Sequence, residues 1–183
     1  MRRAAAAAAT RQAVIDSARE LLATLPWREF TLEAVAARAG VTRVTVYNQV
    51  RNKAGLLDAV LTELTSRAGM DQLLTEAQGL EPAAALAFVA RQTCRFWHAE
   101  RPVLRPLFGL AAVDAGIAAH LAGREDRRRD QFRRLLPRLS EAELAAVVAV
   151  TSFPTYDALG VVGDDPERAA ELVLRMVQGL GVP

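Results

Sequence analysis

The chain has 183 residues, 51% apolar, 24% charged and 5% aromatic, which describes a globular chain of one domain or one plus a small module and excludes disorder throughout. One cysteine (Cys94) and two histidines (His98 and His120) exclude an internal disulfide framework and zinc sites of four cysteines or of two cysteines and two histidines, so no metal or cofactor is expected. The net charge of +2 hides an asymmetry: residues 1–55 carry nine basic against four acidic side chains, and the other 128 carry fourteen against seventeen. A basic head on an acidic body points to a polyanion partner for the head.

Alanine supplies 36 residues, while Pro and Gly together supply only 19, a balance that favours helix. Met1-Arg2-Arg3 followed by six alanines is too short and too weakly apolar for a secretory signal. From Thr10, taken as an N-cap, Val14, Ile15, Ala18, Leu21, Leu22 and Leu25 recur at helical spacing up to Pro26. Thr31 caps a two-turn helix over 32–39 that stops at Gly40, the expected left-handed position. Thr42 caps a third through Val50, and Asn52 a fourth from Lys53 with Leu56, Leu57, Val60, Leu61 and Leu64 inward.

Helical spacing continues beyond Gly69. Pro82 opens a long helix, which Pro102 and Pro106 are expected to break into short pieces. Residues 111–122 and 124–136 read as two helices, with Arg127, Arg128 and Arg129 on a solvated face. Ser140 and Glu143 form a capping box for an apolar helix over 141–159. Its apolar run, Leu144 to Val162, is interrupted by Pro154, Thr155 and Asp157, so it reads as a buried helix and not a membrane span. Asp165-Pro166-Glu167 starts a last helix to about 180. No alternating strand pattern occurs. The expectation is an all-α chain of about nine helices.

The helices at 10–25, 32–39 and 42–50 have helix-turn-helix proportions, with Ala39-Gly40-Val41-Thr42 as the tight turn. Val46 and Val50 share a face that packs inward. Val44, Asn48 and Arg51 then point outward with Tyr47 at their edge, and Arg43 and Thr45 stand at the end that a recognition helix presents to bases. The run Phe30-Thr31-Leu32, Val35-Ala36, Ala39-Gly40-Val41-Thr42, Thr45-Val46-Tyr47, Val50, Asn52-Lys53, Leu56-Leu57 resembles the DNA-binding domain of TetR-type transcriptional regulators, without insertion, over about residues 10–65.

That resemblance implies a homodimer that binds a palindromic double-stranded DNA operator as a repressor, and that a small-molecule effector releases; with no targeting segment read in the sequence, a cytoplasmic location is expected. The resemblance divides the chain into a DNA-binding domain over 1–55 and an effector-binding and dimerisation domain over 56–183, with the fourth helix, from Lys53, linking the two. It implies phosphate contacts from Thr31, Thr42, Tyr47 and Lys53, and base reading by Arg43, Thr45 and Asn48. Val44 replaces a residue that is usually small or proline, which suits contact with a thymine methyl. Gln49 and Val50 replace a frequent His and a usual Phe. An arm of Arg2, Arg3 and the following alanines could reach a minor groove, although a partly helical tail is the plainer reading.

The same resemblance makes Arg95, Trp97, His98, Arg105, Phe108 and Phe153 the candidate effector lining, for a mostly apolar or aromatic molecule. Arg95 or Arg105 would receive a carboxylate if the ligand carried one. Ala145, Val148, Ala149 and Ser152 make a narrow small-residue face, and Val173, Met176 and Val177 lie in a broad apolar stripe, together the expected dimer interface. Cys94 and His98 have the spacing of a metal half-site but nothing completes it. No nucleophile motif or phosphate loop marks an enzyme. The rival reading is a small helical enzyme or ligand carrier with an incidentally basic head.

Overall fold

The computed structural model describes residues 2–180, and their side chains except those of Arg2, Arg3 and Leu74. Among the described residues there are ten α-helices and one 3-10 turn, and no strand. They divide into two compact units, 1–65 and 66–183.

In the first unit α1 (Arg2–Thr24) starts eight residues before the expected cap. Thr10 does not cap it; inside the helix its hydroxyl donates back to the Ala6 carbonyl at 2.9 Å, and the alanines need no cap to continue the spiral. Val14, Ile15, Ala18 and Leu22 are its buried stripe. The minor-groove arm concerns the Arg2 and Arg3 side chains, which lie outside those described.

α2 (Leu32–Ala39) is capped by the Thr31 hydroxyl, which accepts from the Ala34 N–H at 3.1 Å. Gly40 ends it at φ +66°, where a side chain would be strained, and the Val41 N–H returns to the Ala36 carbonyl at 3.0 Å. α3 (Arg43–Val50) follows from the Thr42 cap, and α4 (Lys53–Arg67) buries Leu56, Leu57, Val60, Leu61 and Leu64. Gln12 of α1 reaches Glu63 of α4 at 3.2 Å. The first unit therefore extends past residue 55, where the sequence suggested a boundary.

The second unit comprises α5 (Leu73–Ala77), α6 (Pro82–Ala111), α7 (Ala115–Leu135), α8 (Glu141–Val150), α9 (Phe153–Ala158), the 3-10 turn Gly160–Asp164 and α10 (Pro166–Gly179). α6 is its axis, with α7 and α10 packed along it. Three expectations are corrected here. Pro102 and Pro106 do not break α6: both are exposed, so the carbonyls they leave without an N–H face water, while Val103, Leu104 and Leu107 hold the helix on the core. Residues 111–122 and 124–136 are not two helices; Asp114 caps one helix that runs through Gly123, at a modest propensity cost. The apolar stretch 141–159 is two helices, because Ser152 recaps the chain and Pro154 cannot continue the first. The Ser140–Glu143 capping box forms as read.

Leu86, Val89, Phe132, Leu136, Leu144, Val147 and Val177 make one core cluster of this unit. No single helix among the described residues is long and apolar enough to cross a membrane.

Candidate nucleic-acid interface

Val46 and Val50 are buried, so the opposite face of α3 is turned out. Val44 is 67% exposed and Tyr47 57%, unusual for residues of their size, and Asn48 is exposed beside them. Thr42 and Thr45 lie together at the N-terminus: the Thr42 hydroxyl accepts from the Thr45 N–H at 3.1 Å and lies 2.9 Å from the Thr45 hydroxyl. Arg43 stands on the surface with its Nε 2.5 Å from Glu33 Oε1. From α1, Arg11 donates to the Gln49 carbonyl at 2.8 Å and occupies an acceptor in the last turn of α3.

α3 ends in a sharp corner. Arg51 has φ +64° and ψ −47°, and the Asn52 N–H bonds the Val50 carbonyl at 2.7 Å, which makes a γ-turn centred on a non-glycine residue. Arg51 is the only described non-glycine residue with positive φ. It is thus a terminating residue beyond the outward helical row in which the periodicity placed it. The Asn52 side chain then accepts from the Gly55 N–H at 2.8 Å and starts α4. A Cβ on Gly55 would stand 2.1 Å from the Val50 carbonyl oxygen, so the corner requires glycine there.

Lys53 is engaged within the head. Its Nζ lies 3.4 Å from the Trp27 ring centroid, 5.4 Å from that of Phe30, and donates to the Trp27 carbonyl at 3.2 Å. Trp27 stacks on the fully buried Phe30 at 5.6 Å. Any phosphate bound by this ammonium shares it with the aromatic platform of Trp27 and Phe30. Thr31 and Thr42 both spend their hydroxyls on helix caps, which leaves each as a short first turn with further N–H groups to present.

In the second unit the candidate effector residues divide. Trp97 and Phe153 are buried in an aromatic chain, edge to face at 5.7 Å, with Phe108 at 4.9 Å from Phe153 and the Trp97 indole donating to the Thr151 carbonyl at 3.1 Å. His98 is exposed, with Nδ1 3.2 Å from the Gly163 carbonyl, an oxygen that also accepts the Tyr156 hydroxyl. Arg95 pairs with Glu167 at 2.5 Å. Arg105 pairs with Asp157, which Arg101 also holds at 2.7 Å. The guanidiniums of Arg105 and Arg101 keep the Asp157 carboxyl below its ordinary range. Burial pushes the Cys94 thiol up to about 12, so it is an inert buried thiol.

Arg128 does not belong to a solvated face. Its side chain is 14% exposed, pairs with Glu125 at 2.8 Å, and donates to the Thr151 hydroxyl at 2.6 Å and to the Val148 carbonyl, closing the C-terminus of α8. Of the expected interface residues, Ala145 and Ala149 are exposed, and Val148, Ser152 and Met176 half-buried. Val173 and Val177 are corrected: at 1% and 0% exposure they are buried within the subunit, and Leu172, Met176 and Leu180, on α10 and at its end, leave apolar surface outside. Among the described residues no group of three or more His, Cys, Asp or Glu is placed to hold a metal ion.

The family described as bacterial regulatory proteins, tetR family, matches residues 14–60, which contain α2, α3 and the corner. The HTH-type transcriptional regulator AlkX of Mycobacterium tuberculosis is 38% identical over 63 residues, 34% of this chain and 30% of that protein. The matched stretch thus spans under a third of the length of that curated relative. A TetR-like transcriptional regulator from Rhodococcus sp. RHA1 superposes with a TM-score of 0.70 at 21% identity, over 95% of this chain and 97% of that one. SmeT in complex with triclosan superposes at 0.71 and 19% identity, over 94% and 91%. Sequence likeness thus covers the head, which matches the tetR-family model, and likeness of fold covers both units.

Proposed function

We propose that the chain is a sequence-specific DNA-binding transcriptional regulator: a homodimeric repressor that leaves a palindromic operator when a small-molecule effector binds its second unit. The observation that carries this reading is the outward face of α3. It leaves Val44, Tyr47 and Asn48 in water at the edge of a basic head, a cost to an isolated protein that contact with a major groove recovers. Arg43 and Thr45 at its N-terminus read bases with Asn48; Thr31, Thr42, Tyr47 and Lys53 hold the phosphate backbone.

The effector in this reading is mostly apolar or aromatic: Arg95 and Arg105 already carry carboxylate partners, His98 lies against the Gly163 carbonyl, and the remaining candidates are Trp97, Phe108 and Phe153. The complex of SmeT with triclosan gives the reading a precedent in a chain of this fold. Dimerisation uses α8 and α10, which pack on one another, through Ala145, Ala149 and Met176. Selection of bound duplexes from a random pool is the test. Enrichment of a two-fold symmetric sequence is the expected result. Binding that is uniformly weak and sequence-blind would instead support an enzyme or carrier with an incidentally basic head.

A further inference from the structure

We propose that Glu33 is a positioning residue for Arg43, and that the pair reads a guanine in each half-site. The inference rests on the DNA-reading role proposed for α3. Glu33 stands in the first turn of α2, Arg43 opens α3, and the tight turn at Gly40 brings them together with Nε 2.5 Å from Oε1. The side chains are 69% and 57% exposed, a setting in which an ion pair adds little to stability. Its effect is on Arg43 itself: a flexible, rotamer-rich side chain is held in one direction before DNA arrives, so less order is lost on binding.

A guanidinium has five N–H donors. Glu33 pairs with the Nε edge of the guanidinium, and the four donors on the two Nη nitrogens form a flat fork. Guanine offers two acceptors, O6 and N7, on its major-groove edge, and that pair matches the fork. The other side chains of the turn do not compete for it. Thr45 shares its hydroxyl with Thr42, and Val44 offers only methyl groups. The carboxylate also has an unfavourable side, because it repels phosphates of every duplex. Glu33 should therefore act in opposite directions on affinity and on discrimination, which a merely structural residue would not do.

The experiment titrates the full chain against the selected operator and against duplexes in which the guanine facing α3 is replaced by each other base. Wild type should discriminate by about tenfold or more, the usual worth of a bidentate arginine–guanine contact. Glu33→Gln should bind all duplexes at least as tightly as wild type, with that discrimination reduced to about a third or less of its wild-type value. Arg43→Ala should abolish the preference at the same base, and adding Glu33→Gln to it should change discrimination no further. Glu33→Ala repeats the measurement if circular dichroism shows the Gln variant unfolded. Full discrimination in Glu33→Gln, or a further loss in the double variant, overturns the positioning role. A preferred base other than guanine opposite Arg43 overturns the assignment of the base. A wild type that selects no sequence at all removes the regulator reading and this inference together.

Discussion

Lys53 is the one lysine beside 22 arginines, and besides its proposed phosphate contact it holds the Trp27 ring and carbonyl. A compact ammonium fits over the Trp27 indole and under its carbonyl, a position for which a planar guanidinium is a poor substitute. Lys53→Ala should weaken binding to every duplex, lower the salt slope by about one phosphate contact, and lose about 0.5–1 kcal/mol of head stability as the cation–π contact goes. Titration at several salt concentrations and urea denaturation read the two effects separately; an unchanged salt slope would leave only the structural task. Arg51 is a second local test. A non-glycine residue at φ +64° stores about 1–3 kcal/mol of strain, and glycine relieves it while adding about 0.5–1 kcal/mol of unfolded-chain entropy. Arg51→Gly should thus raise the melting temperature of the head, and a lowered one would show that the turn is not strained. Caps such as Thr31, Thr42 and Asn52 were legible in the sequence because a cap and its helix are neighbours along the chain. The partners of Arg43 and Lys53 were not, because ten residues or more separate each pair and only packing closes the gap.

At the level of helices, sequence signals worked where a single residue type decides the outcome and failed where surroundings decide it. Gly40 and the Ser140 box had no competitor. Pro102 and Pro106 had one, since eleven buried side chains hold α6 against its core and outweigh two missing N–H groups on the wet side. The junction of α6, α9 and the 3-10 turn is held by Arg101, Arg105, Asp157 and Asp164, and has a predictable response to acid. The folded Asp157 titrates below its unfolded value, which is about 3.9. Its stabilising contribution is therefore complete above that value and is lost as pH falls through the folded one. Glu143, lowered by the Ser140 hydroxyl and N–H, contributes in the same direction. Asp157→Asn should lower the melting temperature at neutral pH and flatten its decline below about pH 4. Parallel curves for variant and wild type would assign the acid limb to other carboxylates.

For the molecule as a whole, the fold class and the helix-turn-helix were legible because periodicity and caps are local. The extent of the head was not, since the side chains of α4 that belong to it are chosen by burial and not by composition. The proposed dimer is tested at the same scale. Ala149 is exposed on α8 and Met176 half-exposed on α10, so charges there are tolerated by a monomer. Ala149→Glu with Met176→Glu should give a folded monomer in sedimentation velocity, with operator affinity reduced about as far as one reading helix without its twin allows. A double variant that still sediments as a dimer would place the interface elsewhere.

The corner between α3 and α4 has a mechanical meaning. A loop of freely rotating bonds would let the two helices swing independently, and a push along one would be absorbed before it reached the other. Here the linkage is one γ-turn, an asparagine clamp on the next N–H, and a glycine so close to the Val50 carbonyl that a methyl group does not fit. The start of α4 and the end of α3 are therefore joined as a stiff elbow. Such an elbow would pass a turn of α4 on to Tyr47 and Asn48, like the bit of a key turned from its bow.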